Sequence, residues 1–317
     1  MKIGCVGLGN IGRHLAANVL AAGFDVVVND LHRATADPLV AAGATWAASP
    51  AEVASMTDAV ITCLPSVAAI TQVVEGEHGL AAGFRPGSTW IDMSTNDRRE
   101  LLRLAALLEA NGVHTLEAPV TGGAHNASSA TITVLVGGDE AVFQHYAEVF
   151  DAIGGRVFFI GERGQAAVIK VITNMLAFIH IAATAEAYML AARAGIDLRL
   201  AWEVIRASSG NSFIHETEST TILSGSYDIG FSLDLSCKDL GFAMQLGREL
   251  DVPLDIAATV EQLNIRARAA YGGSAGSPMV ARLLETACGV DLRAPGFPAD
   301  LDEYLATMPR AERATAD

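Results

Sequence analysis

Up to about residue 160, short β-branched runs alternate with stretches whose apolar positions recur at helical spacing. The runs are KIGCVGLG from Lys2, FDVVVND from Phe24, AVITCLP from Ala59, STWIDMS from Ser88 and ATITVLVGG from Ala130. Such alternation predicts crossover units around a mainly parallel sheet. Beyond Gly164 the strand signal fades, and Ala/Leu-rich helical patterns run on with breaks near Gly195, Ser208 to Asn211 and Pro253. The predicted fold is therefore an α/β domain over residues 1–163 and an all-helical domain over 164–290. A C-terminal extension, 291–317, carries Pro295, Pro298 and Pro309 and ends in a polar stretch expected to be partly mobile.

One helical segment is apolar on nearly every side: Val171 to Ala185, between Lys170 and Glu186. A bilayer span takes about 20 largely apolar residues. This run is shorter and contains Thr173, Asn174, His180 and Thr184, so it reads as a long buried helix joining the two domains. A helix of that kind on a small domain needs cover, which predicts a homodimer or homotetramer.

Length agrees with two domains, since 317 residues is roughly twice the usual domain of about 150. Hydrophobic residues at 51% and charged residues at 18% are a globular composition. A formal charge of −15 argues against nucleic-acid and membrane partners, both of which call for dense cationic surfaces. An anionic small-molecule ligand would then depend on local positive potential at helix N-termini and a few cations. Cys5, Cys63, Cys237 and Cys288 are far apart and read as reduced thiols, and no histidine or cysteine spacing suggests a metal. The N-terminus turns glycine-rich too early for a signal peptide, which places the protein in the cytoplasm.

The opening motif gives these constraints a chemistry. Gly7, Leu8, Gly9, Asn10, Ile11 and Gly12 follow a strand and lead into a helix, and the next strand closes on Asp30. This is a complete dinucleotide-binding unit of about 30 residues rather than an isolated GxGxxG. The glycines permit a tight turn and close approach of a pyrophosphate to the helix N-terminus, and Asp30 is placed to hydrogen-bond a ribose hydroxyl. Leu31, not arginine, follows Asp30, favouring NAD, while His32 and Arg33 leave NADP open.

Of the 21 basic residues only three are lysines: Lys2, Lys170 and Lys238. Arginine stays protonated, whereas burial lets a lysine exchange its proton, so a retained lysine can mark a site that needs titration. The count alone does not separate this from chance. Lys170 lies near the start of the apolar helix with Asn174 four residues on, on the same face. There a desolvated amine can remove or return a hydroxyl proton.

Taken together, the segments resemble the β-hydroxyacid dehydrogenase family, which includes 3-hydroxyisobutyrate dehydrogenase, tartronate semialdehyde reductase and, more distantly, 6-phosphogluconate dehydrogenase. GLGNIG is similar to the family's dinucleotide loop, TCLP (Thr62 to Pro65) to a segment lining the cofactor, and IDMST (Ile91 to Thr95) to a strand end beside the nicotinamide. EAPVTGG (Glu117 to Gly123) resembles the substrate loop usually written DAPVSGG. GERGQAAVIKVITN (Gly161 to Asn174) resembles the stretch carrying the catalytic lysine, and FSLDLSCKDL (Phe231 to Leu240) the Lys-Asp segment near the cofactor.

The resemblance implies a Rossmann domain with Leu64, Pro65, Thr95 and Lys238 on the cofactor, Thr121, Gly122, Gly123 and Asn174 on the substrate, and Lys170 as acid/base. It implies oxidation of a small 3-hydroxy acid, or reduction of its semialdehyde. The substrate loop lies in a stretch without Lys or Arg between Arg103 and Arg156, so its backbone N–H groups would hold the acid. Thr121, Glu117, Ala166 and Thr173 depart from the usual Ser, Asp, Gly and Asn, which argues against assigning one family substrate.

Two rival readings remain: a sulfonated, phosphorylated or aromatic hydroxy acid on the same scaffold, or a dinucleotide-binding sensor without turnover. The lysine counts against an imine reductase. His125 and Asn126 follow the glycine pair and are weaker candidates for the pocket.

Overall fold

The computed structural model describes residues 1–301, 303 and 304. The chain divides into two units, Met1–Lys170 and Val171–Asp317. The expected mobility of the last residues lies outside the described residues.

The first unit is built on a nine-stranded sheet in the order β3-β2-β1-β4-β5-β6-β8-β7, with β9 pairing β8. Its strands are β1 Lys2–Val6, β2 Asp25–Asn29, β3 Thr45–Trp46, β4 Ala59–Thr62, β5 Thr89–Asp92, β6 His114–Glu117, β7 Val120–Thr121, β8 Ile132–Gly138 and β9 Gly154–Gly161. Pairing from β3 through to β6 is parallel, as is β8 with β9; β8 runs antiparallel to β6 and β7.

Covering the sheet on both faces explains why its strands read as apolar runs. On β2, Val26 and Val28 enter one buried cluster with Ile3, Leu15 and Val19, while Val27 enters the other with Val60, Trp90 and Leu104. Successive side chains thus alternate between two cores, and both cores demand apolar residues.

The second unit is helical among its described residues, apart from an isolated bridge between Ser232 and Gly276. The helix Gln165–Arg193 begins in the first unit and continues into the second. It is followed by Leu198–Arg206, Leu233–Glu249, Asp255–Tyr271, Val280–Cys288 and shorter turns. The breaks fall where Gly195, Ser208 to Asn211 and Pro253 placed them.

Burial of the long helix is one-sided within a single chain, although its composition is apolar all round. Phe178, Ile181, Ala185 and Tyr188 are buried, whereas Leu176 is 43% and Leu190 73% exposed. By length and composition the helix could cross a membrane, and 44% of its most apolar window is buried inside the protein.

The start of the extension is tied down. Buried Glu285 accepts hydrogen bonds from the Leu292 amide at 2.7 Å and Arg293 at 2.9 Å, and Phe297, Leu301 and Tyr304 join the core around Trp202.

Candidate active site

In the dinucleotide loop the three glycines have different jobs. Gly7 has φ of +92°, and a Cβ there would lie 2.5 Å from the Cys63 carbonyl oxygen. One at Gly12 would lie 2.0 Å from the Gly7 carbonyl oxygen. These two allow the turn to close and the helix Gly12–Ala21 to start directly under β1. A Cβ at Gly9, by contrast, would have nothing within 4 Å, so this glycine keeps the approach from outside open. The arrangement fits a diphosphate lying on the loop, where a helix N-terminus offers unpaired N–H groups. Leu8 is buried, Ile11 half-buried, and Gly9 and Asn10 are exposed.

Asp30 closes the unit from β2. Its Oδ2 accepts the Leu8 N–H at 2.7 Å and its Oδ1 the His32 N–H at 2.9 Å. The carboxylate is thus locked to the glycine loop, with lone pairs left for hydroxyl donors. Leu31 points outward, and Arg33 is paired with Asp37 at 2.6 Å and lies over the Trp46 ring.

Leu64 and Pro65 follow β4 and Thr95 follows β5, so these candidates gather with Gly7 beyond the carboxyl ends of parallel strands. That is where open α/β sheets bind ligands. Asp92, buried at the end of β5, holds the two segments together. Its Oδ1 accepts from the Thr62 hydroxyl at 2.9 Å and the Ser94 amide at 3.1 Å, and its Oδ2 from Asn96 at 3.1 Å. The Ser94 hydroxyl in turn accepts the Leu64 N–H at 3.0 Å. Burial pushes the Asp92 carboxyl above its usual range, with these hydrogen bonds pulling the other way.

The Thr121–Gly123 loop leaves β7 with two successive glycines at positive φ, +121° and +82°. Side chains rarely adopt such backbone, and a Cβ at Gly122 would meet the Asn126 amide at 2.8 Å. The His125 ring packs over Gly123, so both weaker candidates shape this loop.

Glu117 takes a part that its place in EAPVTGG did not reveal. It is buried at the end of β6, beside Asp92 in the register, and its carboxylate accepts three backbone N–H groups: Gly164 at 2.5 Å, Ala166 at 2.9 Å and Ala167 at 3.0 Å. Burial raises its carboxyl above the usual range, the three amides lower it, and Asp92 raises it further. Lys170 follows one turn later and is only 7% exposed.

Within the second unit, the Asn174 amide donates to Asp239 Oδ2 at 2.7 Å. Lys238 Nζ lies 3.2 Å from Asp239 Oδ1, placed for charge pairing rather than for a hydrogen bond, and 5.4 Å from the Phe242 ring centroid. Asp239 is 1% exposed, and it brings two predicted site residues, Asn174 and Lys238, to one carboxylate. Its sequence signal was an acid next to one of the three lysines; Asp92 showed as an acid closing an apolar strand within IDMST, and Glu117 as the first residue of EAPVTGG. Among the described residues no cluster of three or more His, Cys, Asp or Glu is arranged to hold a metal ion.

Comparison with known proteins falls on the same segments. Residues 2–161 match the NAD-binding domain of 6-phosphogluconate dehydrogenase, and residues 164–284 match the NAD-binding model of NADP-dependent 3-hydroxyisobutyrate dehydrogenase. The chain is 33% identical over 293 residues to 2-(hydroxymethyl)glutarate dehydrogenase of Eubacterium barkeri, covering 92% of this chain and 97% of that one. It is 34% identical over 273 residues to L-threonate dehydrogenase of Escherichia coli K12, covering 85% and 90%. The crystal structure of a 3-hydroxyisobutyrate dehydrogenase from Salmonella typhimurium superposes with a TM-score of 0.83 at 34% identity, covering 89% of this chain and 99% of that one.

Proposed function

We propose, for a chain that belongs to the family of 6-phosphogluconate and 3-hydroxyisobutyrate dehydrogenases, that Lys170 is its proton carrier and that its substrate is a small 3-hydroxy acid. The chain is an NAD(P)-dependent hydroxyacid dehydrogenase. The observation that carries the reading is Lys170 itself: a lysine residue 7% exposed, on a helix start that a buried carboxylate holds in place.

Gly7 to Gly12, Asp30, Leu64, Pro65, Thr95 and Lys238 would hold the dinucleotide, and the open space over Gly9 supports this. Bound there, the nicotinamide supplies the two-electron oxidant. NAD is the preferred form, because Asp30 would face the 2'-position and Arg33 already has Asp37 as counter-ion. The backbone of Thr121, Gly122 and Gly123 holds the substrate carboxylate, a task suited to successive N–H groups. Lys170 accepts the hydroxyl proton as the alcohol is oxidised and returns it in the reverse direction. Asn174, oriented by Asp239, positions the substrate oxygen.

In this reading residues 1–163 bind the dinucleotide, 164–290 complete the substrate site and assemble subunits, and 291–317 form an extension. The exposed Leu176, Leu190, Leu200 and Val204 support a dimer or tetramer, which sedimentation tests; the proposed compartment is the cytoplasm.

The experiment is cofactor reduction across 3-hydroxyisobutyrate, threonate and 2-(hydroxymethyl)glutarate, with Lys170→Ala as the comparison. The expected result is turnover of at least one acid and a loss of about 10²–10⁴-fold in Lys170→Ala with cofactor binding retained. Full activity in Lys170→Ala would refute the assignment.

A further inference from the structure

Glu117 sits four residues before the Thr121 loop and reaches across to the first turn of the helix that carries Lys170. Its contacts to Gly164, Ala166 and Ala167 bridge 47 to 50 residues of chain. We propose that Glu117 is a positioning residue: it fixes the Lys170 amine relative to the strand that delivers the substrate loop. The proposal rests on the reading of Lys170 as proton carrier.

The chemistry of the contact supports it. All three partners are N–H donors at a helix N-terminus, which suits an acceptor-only carboxylate. Glutamine in the same place would turn an NH₂ group toward one of those donors and leave it unsatisfied.

The surroundings are fitted to this longer acid. A methylene adds about 1.5 Å of reach over the aspartate usual at this place in the resembling family. Ala166, where that family commonly has glycine, donates its N–H to the same Glu117 oxygen at 2.9 Å. Two departures from the family pattern therefore meet in one hydrogen bond, made by the Ala166 backbone. On the opposite side, Gly137 of β8 faces Glu117 in the register, and a Cβ there would lie 2.5 Å from Oε1. The glycine leaves the carboxylate its space.

The test compares Glu117→Gln, Glu117→Asp, Glu117→Asp/Ala166→Gly and Gly137→Ala with the unmodified chain and Lys170→Ala. The readouts are steady-state kinetics on the best acid of the panel, cofactor affinity, and acylation of Lys170 followed by mass spectrometry against pH. Misplacing a reacting group by about 1 Å costs up to about 10²-fold, so Glu117→Gln is expected to lower kcat by roughly 10–100-fold with cofactor affinity unchanged. Acylation reads the amine without turnover. An amine displaced with its helix turn meets different surroundings, so its acylation rate is expected to change by about threefold.

Ala166→Gly is expected to restore to Glu117→Asp about tenfold in kcat, by letting the helix start approach the shorter acid. Gly137→Ala, which keeps the charge but crowds it, is expected to fall between Glu117→Gln and the unmodified chain.

A Glu117→Gln protein with lower thermal stability but unchanged kcat and unchanged Lys170 acylation would overturn the proposal, leaving Glu117 a helix cap only. If Glu117→Gln does not fold, the aspartate pair decides, and no recovery on adding Ala166→Gly overturns it. An inactive Lys170→Ala beside a fully active Glu117→Gln defeats the positioning role alone, whereas an active Lys170→Ala defeats the acid/base reading beneath it.

Discussion

Adding one methyl group at Gly9 or at Gly12 separates binding from folding within six residues of chain. A Cβ at Gly12 falls 2.0 Å from the Gly7 carbonyl oxygen, well over 1 Å inside ordinary contact, and the obstacle is backbone that cannot rotate away. Overpacking of this kind costs about 1–3 kcal/mol or more. For a unit of 170 residues that corresponds to a fall of about 2–12 °C in melting temperature. A Cβ at Gly9 meets nothing within 4 Å, and the residue's φ lies outside the left-handed range, so Gly9→Ala is expected to leave stability within about 1 kcal/mol of the parent. What it removes is the close approach of a diphosphate, expected to weaken cofactor binding by about 10–100-fold, or about 1.4–2.8 kcal/mol. Thermal melting without cofactor reads the first quantity, and calorimetric titration with NAD the second. A Gly9→Ala protein that binds NAD as tightly as the parent, or a Gly12→Ala protein of parental stability, would refute the loop geometry.

Two further outcomes follow from the buried carboxylates. Asp92 has its pKa raised by burial in the fold, so its contribution to stability is present in full below the unfolded value near 3.8 and is lost as pH rises through the folded value. Asp92→Asn is therefore expected to gain stability relative to the parent as pH rises, read from urea midpoints between acid and neutral pH; a difference constant with pH would count against it. Asp239→Ala and Asn174→Ala both remove the 2.7 Å contact, so their effects on kcat/KM are expected to be non-additive by about 0.5–3 kcal/mol in a double-mutant cycle. Strict additivity would mean that Asp239 does not act through Asn174.

Some of this molecule is local and was legible residue by residue. The strand, glycine turn and helix from Lys2 to Ala21 are encoded by contiguous residues, because a turn that needs Gly7 at positive φ can be specified by Gly7 alone. The same holds for the apolar runs of β1, β2, β4, β5 and β8, and for the helix breaks at Gly195 and Pro253. Strands β3 and β7, two residues each, carry too little pattern to be seen; the four-residue β6 was not among the runs, nor was β9, whose Val157 to Ile160 are apolar but none fully buried.

What the chain alone left undecided was which distant groups meet. That Glu117 would cap the Lys170 helix depends on where β6 ends relative to Gly164, 47 residues later, and no local spacing encodes that distance. The meeting of Asn174 with Asp239, 65 residues apart, is set likewise by how two helices pack. Residue type announced that buried acids and a scarce lysine needed partners. Only tertiary packing, which trades chain entropy for a few well-placed donors and acceptors, chose them.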